Sequence, residues 1–149
     1  MDELRGIWRG KRINNKEHNG EWVEGILYPV KYTGSTIPGG IDYYIVTYPS
    51  GGGRLQIQIG PSTLGECTGL RDDNGRLIFE GDIVKTKYGR TKTVIGFVEF
   101  DRYIGEFVLN DGIYGYIFGS DILSKECEVI GNIHDNAELI EQEAHNENT

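Results

Sequence analysis

Alanine is almost missing from this chain of 149 residues: there are two, against 26 isoleucines and valines. Helices are built most cheaply from alanine and leucine, and strands from β-branched and aromatic residues, so this balance excludes a helical bundle and predicts a mainly β protein. Long apolar runs are also lacking. None approaches the roughly 20 residues that a helix needs to cross a bilayer, and the first ten residues carry charges where a secretory signal needs an apolar stretch. The expected location is therefore the cytoplasm.

Cysteine is scarce. Cys67 and Cys127 lie sixty positions apart with no CxxC or Cys/His cluster beside them, which excludes the usual zinc patterns and a disulfide scaffold. In a reducing compartment they are expected as buried free thiols, and no neighbouring histidine activates either as a nucleophile. Three histidines, His18, His134 and His145, show no HExxH or triad spacing. The glycine-rich stretch Gly51-Gly52-Gly53 lacks the lysine and following helix of a phosphate-binding loop. No catalytic residue, metal or cofactor is expected from these patterns.

Positive charge is in deficit. The formal net charge is −8, of which residues 1–40 contribute +1, 41–80 −2, 81–136 −3 and 137–149 −4. An acidic body with an acidic end is a poor nonspecific ligand for nucleic acid. Glu138, Glu141, Glu143 and Glu147 face no lysine or arginine in the last segment, which reads as a frayed tail over 137–149 behind a single domain over 1–136.

What is abundant is glycine, with 22 residues, and tyrosine, with nine. Glycine supplies turns and tyrosine suits a half-buried pleated face. Leu55-Gln56-Ile57-Gln58-Ile59 alternates strictly and predicts a strand with one buried face. Its predicted partner is Tyr43 to Tyr48, across a loop of Pro49 to Gly53. Leu4 to Ile13 and Glu21 to Tyr32 flank a polar Asn-Gly turn and predict a second hairpin, on which Trp8 and Trp22 cover one end of the core. Five short strands are predicted in the second half, Ile78 to Lys87, Thr93 to Asp101, Gly105 to Asn110, Ile113 to Phe118 and Glu126 to Ile133, with a helical turn near Ile122 and Leu123. They predict a small SH3-like or barrel-like core with the N-terminal hairpins packed on it.

The segment from Thr68 to Val84, Thr-Gly-Leu-Arg-Asp-Asp-Asn-Gly-Arg-Leu-Ile-Phe-Glu-Gly-Asp-Ile-Val, resembles the signature of the YopX family. Arg5-Gly6-Ile7-Trp8, Pro61-Ser62-Thr63-Leu64-Gly65 and Cys127 to Ile133 agree with it. Where the family's usual Tyr-Thr-Gly stands, this chain has Cys67-Thr68-Gly69. The resemblance implies a β-rich, barrel-like fold and a phage or prophage origin, and it supplies no activity. Its structural signature is Thr68, Gly69, Leu70, Asp73, Asn74, Gly75, Glu80, Gly81 and Asp82.

Within the signature, Asp72 to Gly75 reads as a tight turn, and Gly81 predicts a bulge or a positive φ in a β-branched run. Glu80 and Asp82 would share a face of a regular strand as an acid and base or cation-binding pair, whereas a bend at Gly81 would leave Asp82 to accept hydrogen bonds from backbone. Elsewhere, Lys85, Lys87, Tyr88, Arg90 and Lys92 form the one basic cluster of the body, on a predicted hairpin arm. The reading from sequence is a non-enzymatic accessory protein that binds a host or phage protein and self-associates. The alternative is a nucleic-acid-binding module using that basic hairpin.

Overall fold

The structure, a computed structural model, describes residues 6–31 and 40–140. The described residues form two compact units, divided between Cys67 and Thr68.

In the first unit, β1 (Ile7–Lys11), β2 (Trp22–Lys31), β3 (Ile41–Thr47) and β4 (Leu55–Ile59) run as an antiparallel meander. Both predicted hairpins form, with Trp8 opposite Gly25 and Ile45 opposite Ile57. Alternation sends Ile45, Ile57 and Ile59 to the buried face, where Trp8, Val23 and Leu64 pack against them. The sheet curls until its ends meet. The Ile13 N–H donates to the Gln58 carbonyl at 3.0 Å and the Gly60 N–H to the Lys11 carbonyl at 2.9 Å, which ties the end of β4 to the end of β1 in a barrel-like curl. Trp22 departs from its expected place. It pairs with Lys11, on the face away from the core, and its ring lies 4.7 Å from the Arg9 guanidinium and 5.4 Å from the Lys11 ammonium. The register explains this: Trp8 and Trp22 fall on opposite faces of one hairpin.

A 3-10 turn at Pro61–Thr63 precedes β5 (Gly65–Arg71), a strand that the sequence reading did not contain. β5 starts in the first unit, where Gly65 and Glu66 pair with β1, and enters the second, where it neighbours β6 (Leu77–Phe79). The five-stranded sheet of the second unit holds β7 (Asp82–Tyr88), β8 (Lys92–Asp101), β9 (Glu106–Asn110), β10 (Gly115–Ile117) and β11 (Glu128–Asn132), in the order β10-β9-β8-β7-β11. A meander whose last strand returns beside its first is the arrangement expected of an SH3-like barrel. Ile78, Val84, Val98, Leu109, Tyr116 and Cys127 lie in its core.

The run read as one strand over Ile78 to Lys87 is two. Glu80 and Gly81 separate β6 from β7, and Gly81 has φ +86. Both main-chain groups of Gly81 are used, its N–H by the Val98 carbonyl and its carbonyl by the Ile133 N–H, each at 2.8 Å. A Cβ here would meet only ordinary contacts, 3.6 Å from His134 Nε2 and from Ile133 Cγ1. The cost of a side chain is thus the backbone conformation itself. Gly81→Ala is expected to destabilise by about 1–2 kcal/mol and lower Tm by roughly 5 °C, with Gly81→Asn milder because asparagine tolerates a positive φ. Melting of Gly81→Ala at or above the wild-type temperature would contradict this.

The helical turn expected near Ile122 and Leu123 lies at Ser124–Glu126, while Ile122 is buried and bridges Phe118. At the end of the described chain, residues 138–140 are helical, the Leu139 N–H donating to the Asn136 carbonyl and the Ile140 N–H to the Ala137 carbonyl. Glu141, Glu143, His145 and Glu147 fall outside the described residues. Among those described, no helix is long and apolar enough to cross a membrane.

Candidate functional site

Asp72 is the hub of the signature. It is buried, its Oδ1 accepts the N–H groups of Asn74 at 3.0 Å and Arg76 at 2.8 Å, and its Oδ2 accepts the Val129 N–H at 3.0 Å. One carboxylate thereby closes a turn and fixes it to β11. Asp73 reinforces the same junction through its backbone, its N–H donating to the Cys127 carbonyl at 2.8 Å, and Gly75 takes φ +80. Thr68 donates its hydroxyl to the Ile78 carbonyl at 2.8 Å and accepts the Leu70 N–H at 3.1 Å. Gly69 has φ +83, and Leu70 packs on the core. These residues hold backbone and side chains in place.

Asp82 is fully buried and its Oδ2 accepts the Phe79 N–H at 2.8 Å across the Gly81 bend, while Glu80 stays half-buried. The bend thus places the Asp82 carboxylate on a backbone N–H. Cys67 and Cys127 are both free and buried. Burial pushes the Cys127 thiol up, and the charges of Glu126, Asp72 and Asp73 add to this against a lowering hydrogen bond from Thr86, so at neutral pH it remains a thiol and a poor nucleophile. Among the described residues, no three histidine, cysteine or acidic side chains gather as a metal site requires.

The basic hairpin is divided by the pleat. Lys85, opposite Glu128 and Ile95, and Lys87, opposite Thr93, share one face. There they line a groove of about 380 Å³ together with Asp73, Glu126 and Glu128, so two cations lie among three acids. Arg90 is exposed in the turn after Gly89. Tyr88 and Lys92 pair across the two strands and point to the other face.

On that other face the meander brings the β7–β8 turn next to the β9–β10 turn, and with it two tyrosines that sequence reasoning did not select. The Tyr116 ring packs edge-on against Tyr88, with centroids 5.0 Å apart, and against Tyr114 at 6.5 Å. Lys92 Nζ donates to the Tyr116 hydroxyl at 3.0 Å and lies 5.7 Å from the centroids of the Tyr114 and Tyr116 rings. The Tyr116 hydroxyl in turn donates to Asp111 Oδ2 at 3.3 Å. Tyr116 is 6% exposed, but Tyr88 is 41% and Tyr114 61% exposed, so a fixed inner ring carries two outer ones. With Gly115 and Asp121 they surround a hollow of about 300 Å³. Nothing in the spacing of Tyr88, Tyr114 and Tyr116 signals this; the strand order creates it.

Asp111 steadies the second turn, its Oδ1 accepting the N–H groups of Ile113 at 2.9 Å and Tyr114 at 2.7 Å. Burial raises its carboxyl pKa, but the hydrogen bonds from Tyr114, Ile113 and Tyr116 and the charge of Lys92 outweigh this and hold it below the ordinary 3.8. A carboxyl depressed in the folded state stabilises it above the unfolded value, and that contribution is lost as pH falls through the folded one. The melting temperature is therefore expected to fall as pH drops below about 4, and Asp111→Asn to show a smaller fall over the same window. Equal slopes for both proteins would contradict the assignment.

The YopX protein family model matches residues 12–141. A crystal structure of protein EF1440 from Enterococcus faecalis is similar at 22% identity, over 92% of this chain and 98% of that one, with a TM-score of 0.49. No curated protein matches. The family match spans β2 to β11 and with them the signature hub at Asp72 and the Gly81 bend: the chain belongs to the YopX family.

Proposed function

We propose that this chain is a non-enzymatic accessory protein of phage or prophage origin, acting in the bacterial cytoplasm by binding a protein of the host or of the phage. One observation carries this reading: the exposed rings of Tyr88 and Tyr114 are held in fixed positions by Tyr116 and Lys92 beside a hollow. Rigid, half-exposed aromatic side chains lose little entropy on binding and supply much contact area, as protein-binding surfaces require. A tagged wild-type chain is expected to retain a host or phage protein from a bacterial lysate saturably and at fixed stoichiometry, and Tyr88→Ala with Tyr114→Ala is expected to lose it while remaining folded, with Tm lowered by only a few degrees for the lost ring contacts. Equal retention by the double variant would contradict the reading.

Self-association belongs to the same proposal. On the outer face of the first unit Ile26 and Tyr28 are 56% and 48% exposed, a pair of apolar neighbours along β2. A second copy would cover them. Light scattering should give a mass above the monomer at micromolar concentration, reduced by Ile26→Asp; a monomeric wild type would remove this half of the proposal.

A further inference from the structure

The hollow beside Tyr88 and Tyr114 narrows the kind of partner. Its walls are aromatic faces, and its polar groups include three donors, the hydroxyls of Tyr88 and Tyr114 and the Lys92 ammonium. Carboxylates accompany them: Asp111 behind Tyr116, and Asp121 at the rim, whose Oδ2 accepts the Ile117 N–H at 2.8 Å. An anionic ligand meets those two acids and a chain of net charge −8. A cationic head would have to displace Lys92 from the faces of Tyr114 and Tyr116. What remains is a neutral ligand with C–H faces for the rings and carbonyl oxygens for the donors.

A polyproline II segment has this chemistry. It makes no internal hydrogen bonds, so its carbonyls need outside donors; each proline lacks an N–H and offers a flat ring; and its conformation is largely formed before binding. We propose that the hollow binds a proline-rich, extended segment of the partner, prolines on Tyr88 and Tyr114, carbonyls on Lys92 and the tyrosine hydroxyls, and a basic flanking residue toward Asp121. The proposal rests on the reading that this end of the second unit contacts the partner, and it commits that surface to one class of ligand.

The test is fluorescence anisotropy with the full chain and three labelled probes. They are a proline-rich heptapeptide with one flanking arginine, the same peptide with alanine for every proline, and an oligothymidine of equal length. Expected are saturable binding of the first, at least tenfold weaker binding of the second, and no binding of the third at 150 mM salt. Tyr88→Ala and Tyr114→Ala should each weaken the first probe tenfold or more. Tyr103→Ala, fully exposed at the other turn of β8, should leave it unchanged. Equal binding of the alanine peptide, or no saturation at millimolar chain, overturns the proposal, as does binding of oligothymidine in its place. If the double tyrosine variant loses the captured protein while the proline peptide stays silent, the ligand class is wrong and the partner surface stands. If the double variant keeps that protein, the surface itself is wrong.

Discussion

Asp72→Ala is expected to lower the melting temperature by roughly 10–15 °C, from a loss of about 4 kcal/mol. Three backbone N–H groups lose a charged acceptor at once, those of Asn74, Arg76 and Val129. Hydrogen bonds to a buried charge contribute more than neutral ones, and the donors left behind cost extra because little water reaches them. The two turn donors gain some solvent when the carboxylate goes. Val129 does not: it lies within the core, and its N–H would stay dry. Asp72→Asn separates the two parts. Its one oxygen still serves the turn, but its amide would point a donor at the Val129 N–H, so about half the loss is expected. Circular dichroism melts of both variants decide this, and an Asp72→Ala protein within about 1 kcal/mol of wild type would show that the signature turn is not anchored to β11 as described.

Gly96→Ala is expected to cost about 3 kcal/mol or more, beyond any gain from a stiffer unfolded chain. Gly96 faces Val84 on β7, and a Cβ there would strike the Asn110 carbonyl oxygen and lie 2.8 Å from its carbon. These are backbone atoms with no rotamer to change. Asn110 is paired with Phe97 and with Gly115, so it cannot retreat without loosening both β9 contacts. The conformation at Gly96 is ordinary, and the requirement is one of space, which distinguishes it from Gly81. Unchanged denaturant stability of Gly96→Ala would contradict the close approach of β8 and β9.

Comparison of these two glycines shows what could be read in advance. Gly81 was legible because it interrupts a β-branched run between two acids, a local conflict with strand propensity. Gly96 sits in a similar run without such a mark, since only the partner strand's backbone demands it. The same division holds for the elements. β3 and β4 were legible from strict alternation and a glycine loop, and the meander of the second unit from its turn residues. β5 was not, because Gly65-Glu66-Cys67-Thr68-Gly69 has neither alternation nor β-branched density, and its pairing with β1 is long-range. Asp72 lay inside a recognised signature, yet its neighbours Asp73 and Asn74 looked equally suited to a turn; only the arrival of Val129 sets it apart.

The candidate site was half legible. Tyr88 and Lys92 stood out as an aromatic and a cation on one hairpin arm. Tyr114 and Tyr116 did not, as they lie at the start of β10, which β9 separates from β8 in the sheet. Conversely, Lys85 and Lys87 looked like partners of Lys92 in sequence, and the pleat sends them to the opposite face among Asp73, Glu126 and Glu128. A period of two made that split predictable in principle; the acids brought there by β11 were not.

The central claim is that partner recognition belongs to the tyrosine-lined end of the second unit while the signature serves as scaffold. Site-specific photo-crosslinking in the bacterial host tests it most directly, with a benzophenone side chain placed at Tyr114, at Tyr103 or at Asn74, three exposed positions of the same unit. The account predicts one discrete crosslinked protein from position 114 and none from 103 or 74; crosslinking from Asn74 with silence at 114 would contradict it.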